Sequence, residues 1–173
     1  MHPRHRDDHQ RFLLLHAVIL YVQFAVFSLF IRQEKHLLPQ SAANLWQQYW
    51  RGLSVVIRER GIIIAHVTLW PLQDNWYEYG TIWVHPDYRR HGLAKKILTK
   101  LLNENQDKQI LATTTNDIVK RLNVEVDLSL QPFETLPQAI HRLTCVCPIE
   151  KRGTDDYRLC ARKNKECALF TNN

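Results

Sequence analysis

The spacing of apolar and polar positions changes character along the chain. Phe12 to Ile31 forms a twenty-residue apolar run interrupted only by His16, Gln23 and Ser28, which is long enough to cross a bilayer as a helix. Arg4, Arg6 and Arg11 precede it and Arg32 and Lys35 follow it, so flanking charge gives no orientation. No small-residue cleavage site follows the run, which speaks against a cleaved signal peptide. The alternative is a core helix of a soluble domain. His16 and Gln23 lie seven residues apart on one stripe, but Leu20 and Phe27 share it, so periodicity alone leaves membrane span and core helix both open. Residues 1–11 read as a polar tail.

Leu37-Leu38-Pro39-Gln40-Ser41 ends this helix, and Ser41 suits the cap of a short amphipathic helix carrying Leu45, Trp46, Tyr49 and Trp50. The period then falls to two. Leu53 to Arg58 and Ile62 to Trp70 are rich in β-branched residues and flank Arg60-Gly61, the pattern of a hairpin with a tight turn. Trp76 to Val84 predicts a third strand, ended by His85-Pro86. Helical spacing returns over Gly92 to Asn103, where Leu93, Ile97, Leu98, Leu101 and Leu102 share a face and Lys95, Lys96 and Lys100 lie elsewhere. Gln109 to Thr115 predicts a fourth strand, Asn116 to Leu122 a short helix and Val124 to Leu128 a fifth strand. Strands that meander first and cross over through helices later predict an α/β domain with a mixed, partly antiparallel central sheet flanked by helices.

At 173 residues the chain has room for one core. The expected division is the tail at 1–11 and a single domain over 12–173, with a cysteine-containing segment from about 141. Apolar residues make up 45% and charged residues 23%, which excludes disordered, collagen-like and coiled-coil classes. The net charge of +6 favours an anionic partner. Nucleic acid, acidic lipid and a phosphorylated cofactor all qualify on charge alone.

Val84-His85-Pro86-Asp87-Tyr88-Arg89-Arg90-His91-Gly92-Leu93-Ala94 stands where a strand hands over to a helix. A helix start presents unpaired N–H groups and its positive dipole end, which together suit an anion. Gly92 and Ala94 keep the backbone bare, and five basic residues with no acidic one lie between Arg89 and Lys100. A solvated basic helix start gives the same bare pattern.

The flanking residues add to this reading. A strand, then Val84-x-Pro86-x-Tyr88-Arg89, then an amphipathic helix resembles motif A of the GNAT superfamily of N-acetyltransferases. The resemblance implies a GNAT-like fold in which Arg89, Arg90, His91, Gly92, Leu93 and Ala94 hold the pyrophosphate of acetyl-CoA. Leu53 to Trp70 matches the family's preceding hairpin, and Glu78, six residues before Val84, stands where many members carry a general base. Backbone N–H groups around Trp83 and Val84 would serve the thioester carbonyl and the pantetheine arm. Asn116, at the start of the next helix, would touch pantetheine. The chain departs from the family at Arg90, where glycine is frequent, and between Asn116 and Asn123, where many members carry a tyrosine general acid. An anionic thiolate departure, a proton from Tyr157 or weak catalysis would each account for the missing tyrosine.

A narrower resemblance runs from Val22 onward. Leu38-Pro39-x-Ser41, motif A, Leu136-Pro137, Cys145-x-Cys147-Pro148 and Cys167-Ala168-Leu169 are similar to short, stand-alone N-acetylglutamate synthase-like acetyltransferases. It implies that much of the apolar run is the first helix of a soluble domain. A cytoplasmic location is the expectation, with a membrane anchor through residues 12–31 as the alternative.

Acetyl transfer to an amine needs a proton acceptor, because an alkyl ammonium with a pKa of about 10 is not a nucleophile at neutral pH. Glu78 is the expected base. His66 and His85 have a suitable ordinary pKa, although a strand histidine is more often structural. Cys145, Cys147, Cys160 and Cys167 could hold a structural zinc, but one intervening residue in the close pair is fewer than a zinc ribbon uses; ordinary reduced thiols are the alternative, and disulfides come last because no export signal is evident.

The leading expectation is an acetyl-CoA-dependent N-acetyltransferase acting on a small amine or amino acid, with glutamate among the acceptors. A catalytically weak CoA-binding or sensory module is the alternative. A nucleic-acid partner is not expected, because no aromatic residues interleave with the basic ones of the motif A helix. Monomer and homodimer both remain open.

Overall fold

The computed structural model describes residues 4–34, 37–144 and 167–172. The elements are α1 (Arg4–Gln33), α2 (Ala42–Trp50), β1 (Ser54–Glu59), β2 (Ile62–Pro71), β3 (Trp76–Val84), α3 (Leu93–Asn103), β4 (Gln109–Thr114), α4 (Asp117–Glu125), β5 (Ser129–Gln131), α5 (Gln138–Leu143) and β6 (Ala168–Thr171). The six strands form one sheet in the order β1-β2-β3-β4-β6-β5. Only the β3–β4 pair is parallel, so the mixed, partly antiparallel sheet expected from the sequence is present.

Local chemistry accounts for the joints. Arg60 and Gly61 both take positive φ, 47° and 81°, the conformation of a two-residue hairpin turn whose twist matches the flanking strands. This turn sets the β1–β2 register from Glu59 opposite Ile62. The Ser41 side chain accepts a hydrogen bond from the Asn44 N–H and caps α2. On one face of the sheet, Ile97, Leu98 and Leu101 of α3 pack with Val55, Val67 and Ile110 in the main core. On the other face, α1 and α2 cover β2 and β3 through Leu20, Phe24, Phe27, Ile31 and Leu45, which meet Ile63 and Trp83. Farther along that second face, Leu136 and Ile140, the latter on α5, close over Leu111 and Leu169.

The apolar run thus contributes a core stripe. Leu14–Gln33 has the length and composition of a membrane span, yet Leu20, Phe24, Phe27 and Ile31 are almost fully buried in the domain. Drawing the helix into a bilayer would uncover Ile63 and Trp83.

Three boundaries differ from the sequence reading. The first helix begins at Arg4, so most of the expected polar tail is helical. Val124 to Leu128 is not a strand: α4 runs to Glu125, and the next strand starts at Ser129. Leu122 and Val126 pack against the main core as one helical stripe, and Asp127 at φ 63° then turns the chain out of the helix. The third difference is β6, which inserts between β4 and β5. Its four residues are too short to show a period, and their place in the sheet is set by pairing with Leu111 to Thr114, far away in sequence.

Candidate active site

The β3–β4 ladder has three pairs and ends at Glu78 opposite Leu111. Beyond this point β3 continues to Val84 and β4 to Thr114 without further pairing to each other, so the sheet parts along a line leading from Glu78 toward the loop after β3.

Glu78 sits at the head of this parting. The Thr113 hydroxyl donates to its Oε1 at 2.6 Å. Burial pushes the carboxyl up to about 6, although hydrogen bonds from the Thr113 side chain and backbone oppose the shift. On the other side, Trp70 of β2 pairs with Glu78 in register, and its indole lies over Gly80 closely enough that a Cβ there would stand 3.2 Å from the ring. A carboxylate that titrates near 6 inside a partly buried recess can take a proton at neutral pH. Tyr79 faces the opposite side, where its hydroxyl donates to the Asn123 side chain of α4 and both residues are buried.

Two residues past Glu78 the pairing of β2 with β3 slips. His66 faces Trp83 while Thr68 faces Gly80, so β3 carries one extra residue in a bulge. Thr81 lies in it at φ 52°, a left-handed conformation that costs a β-branched residue energy and needs support from its surroundings. Fully buried His66 supplies it, with Nδ1 3.2 Å from the Thr81 carbonyl oxygen and Nε2 3.0 Å from Thr68 Oγ1. Burial pushes the histidine down to about 4, so the ring is neutral. A carbonyl can only accept, so Nδ1 carries the proton and Nε2 accepts from Thr68. The Thr68 oxygen in turn accepts from Ser54 Oγ at 2.7 Å. The ring also packs against Phe24 and Phe27. His66 is therefore built into the bulge and has no access to a substrate. His85 lies against Phe30, Trp83 and Tyr88 and accepts from the Asp87 N–H.

The loop after β3 holds the remaining expected residues together. Trp83 is buried between α1 and the sheet, and its Nε1–H donates to Glu34 at 2.9 Å. Arg89 donates to the same carboxylate at 2.7 Å and, through Nε, to the Val84 carbonyl at 3.0 Å. Glu34, which sequence reasoning did not single out, thus ties the end of α1 to this loop. Arg90 is exposed at φ 67°, followed by exposed His91. Gly92 is the N-cap of α3 at φ 71°, and no side chain caps the helix. The N–H groups of the first turn, including those of Leu93 and Ala94, therefore face outward and can receive an anion. Asn116 caps α4 by accepting from the Ile118 N–H at 2.9 Å, leaving its amide NH2 to donate elsewhere. Cys167 is half-buried just before β6, whereas Cys145, Cys147, Cys160 and Tyr157 lie outside the described residues. The described residues contain no cluster that could hold a metal.

Arg90 in a left-handed conformation explains how this chain does without a glycine there. Arg90→Gly should stabilise the protein by roughly 0.5–1 kcal/mol, the relieved conformational cost less glycine's extra freedom when unfolded. Urea denaturation checks this, and an unchanged or lower midpoint would show that the arginine is not strained.

Comparisons with known proteins agree with this layout. The model of the acetyltransferase (GNAT) family matches residues 24–122. No curated relative matches the sequence. Among solved structures, N-acetylglutamate synthase from Neisseria gonorrhoeae, complexed with coenzyme A and N-acetyl-glutamate, is similar at a TM-score of 0.58 and 14% identity, over 86% of this chain and 31% of that one. The chain therefore spans under a third of that enzyme. A Mycobacterium tuberculosis protein in complex with CoA is similar at a TM-score of 0.61 and 13% identity, over 87% and 93% of the two chains. Diaminobutyrate acetyltransferase from Paenibacillus lautus, in complex with L-2,4-diaminobutyric acid and coenzyme A, gives 0.55 and 18%, over 68% and 82%. At these identities the likeness is one of fold.

Proposed function

Because the chain belongs to the acetyltransferase (GNAT) family, we propose that it transfers the acetyl group of acetyl-CoA to the amine of a small substrate, with amino acids, glutamate among them, as the leading acceptors. The observation that carries this reading is Glu78, a carboxyl raised to about 6 at the point where β3 and β4 separate. The separation leads from this base toward the end of β3 that hands over to the open N–H groups of α3, which sets a proton acceptor and an anion site along one line. The substrate class draws support from the neighbours of the same fold, one solved with N-acetyl-glutamate and one with diaminobutyric acid.

In this mechanism the first turn of α3 and the loop from Arg89 to Ala94 receive the pyrophosphate, which leaves the pantetheine arm to enter between β3 and β4. Glu78 takes a proton from the substrate ammonium, directly or through water, and the freed amine attacks the thioester carbonyl. Past Glu78 the β4 side of β3 is unpaired while Trp83 and Val84 stay paired with His66 and Ala65 of β2, so a backbone N–H of this stretch on the β4 side would face the developing oxyanion. Collapse breaks the C–S bond, forms the amide, and leaves the second amine proton for the thiolate. Charge on the thiolate is acceptable because a thiol pKa of about 8.5 makes it a good leaving group.

A CoA-binding module without turnover is the second reading. It is favoured by α4, which contains no tyrosine to protonate the thiolate. A thiol-release assay with acetyl-CoA and a panel of amino acids and polyamines separates the two readings. Release that depends on an acceptor, with the acetylated product seen by mass spectrometry, is the expected result. A thermal shift with CoA but no release with any acceptor would establish the binding module.

A further inference from the structure

α1 is apolar on two opposite faces. Its buried stripe, Leu20, Phe24, Phe27 and Ile31, belongs to the core. About 180° around the helix lies a second stripe, Leu15, Val18, Val22, Val26 and Leu29, whose residues are between 40% and 60% exposed. Leu14 and Ile19 widen it, at 67% and 49% exposed. Monomeric domains rarely expose more than a few hundred Å² of contiguous apolar surface, and a helix that is apolar on both sides is normally covered on both.

The order of residues in the stripe indicates what covers it. Around Val22, positions four residues away on each side are Val18 and Val26, and positions seven away are Leu15 and Leu29. The stripe therefore reads the same in both directions. Placed antiparallel against a copy of itself with Val22 at the centre, it sets Leu15 against Leu29, Val18 against Val26 and Val22 against Val22, as a two-fold interface requires. The spacing of three, four, four and three from Leu15 to Leu29, over about 21 Å, also keeps the stripe on one side of a helix. Lipid is a poorer match. A helix lying on a membrane carries lysine and arginine along its polar side, whereas none occurs between Phe12 and Ile31, and the side opposite the stripe is occupied by the core.

We infer that the exposed face of α1 is a homodimer interface, in which α1 packs antiparallel on α1 of a second copy with the two-fold axis passing near Val22. Leu14 and Ile19 extend the contact beyond the stripe itself.

Analytical ultracentrifugation of the full chain over a micromolar dilution series tests this. The expected species is about twice the 20.5 kDa chain mass, converting to monomer on dilution. Val22→Glu should give a monomer at every concentration. Because Val22 is 53% exposed, the variant should keep its far-UV circular dichroism. Orientation is tested by charge pairing: Leu15→Lys and Leu29→Glu should each weaken the dimer, and a mixture of the two should form a heterodimer. A wild-type monomer throughout the series would overturn the interface, whether or not the protein sediments with phosphatidylcholine–phosphatidylglycerol vesicles, and sedimentation with them would assign the face to lipid. A stable wild-type dimer unaffected by Val22→Glu would place the contact elsewhere, and failure of the mixture to pair would overturn the antiparallel arrangement.

Discussion

Glu78→Gln should lower kcat/KM by roughly 10²–10⁴-fold, the usual contribution of a positioned general base, while making the protein more stable above pH 6. The second effect follows from the same burial as the first. The carboxyl titrates at about 6 in the fold against an ordinary 4.5, so the folded chain holds its proton more tightly than the unfolded one. The contribution of Glu78 to stability is then fully present below pH 4.5 and is lost as pH rises through 6, by on the order of 2 kcal/mol. Glutamine is the same size and never ionises, so the variant escapes that loss. Its melting temperature should equal the wild type's in acid and exceed it by several degrees above pH 6. The wild-type rate should rise with pH through the same window, because only the carboxylate accepts a proton. Thr113→Val, which removes a donor to the carboxylate, should move that limb to higher pH. Activity within a few-fold of wild type in Glu78→Gln would remove Glu78 from the chemistry. A stability difference that ignores pH would show that the carboxyl is not desolvated.

Gly92→Glu should abolish the thermal stabilisation that acetyl-CoA gives the wild type. A Cβ at Gly92 meets no protein atom within 4 Å, so the substitution does not clash with the fold. It costs the left-handed φ of 71°, about 1–2 kcal/mol, and therefore a few degrees of melting temperature. The larger effect is on the ligand, since a carboxylate at the helix start occupies the anion's place with the wrong charge. Gly92→Ala separates these contributions: it pays the same backbone cost but adds no charge, and should retain a reduced shift. Thermal denaturation with and without acetyl-CoA reads both variants. A full shift in Gly92→Glu would exclude this loop from the cofactor site.

The parts of this site that depend on neighbours in sequence were legible before the structure. The strand-loop-helix order around Arg89 to Ala94 is local, and so is the Arg60-Gly61 turn, because backbone φ preferences and helix periodicity act over a few residues. Glu78 was identified through its distance from Val84 in the resembling motif, but its chemistry was not visible. Its carboxyl is raised by burial and held back by Thr113, thirty-five residues away, and both follow from a parallel pairing that leaves no trace in either strand. Glu34 was hidden for the same reason, since its partners Trp83 and Arg89 reach it across the fold. His66 carried one signal that went unread. Ser54, His66 and Thr68 are polar residues on otherwise apolar strands, and buried polar side chains in such places must satisfy one another. The fifth strand was misplaced because Val124 and Val126 favour strands by residue type, whereas in α4 their neighbourhood is set by packing against the core. The strand β6 could not be found by period at all.

The hydrogen-bonded line from Ser54 through Thr68 and His66 to the Thr81 carbonyl has a direction, and that direction gives the molecule an acid limit. Each hydroxyl donates toward the histidine, and the line works only while Nε2 has a lone pair to offer. His66 titrates at about 4 in the fold against an ordinary 6.5, so the unfolded chain binds this proton first and stability declines as pH falls from 6.5 toward 4, by on the order of 3 kcal/mol. Over part of that range Glu78 works in the opposite sense, but by less. When the ring does charge, Nε2 becomes a donor aimed at a donor, and both hydroxyls must turn away from it. Nδ1 still donates to the Thr81 carbonyl, but the contact to Thr68 is broken and a charge is buried beside Phe24 and Phe27, so part of this protein's acid sensitivity would lie at a residue that never meets a substrate.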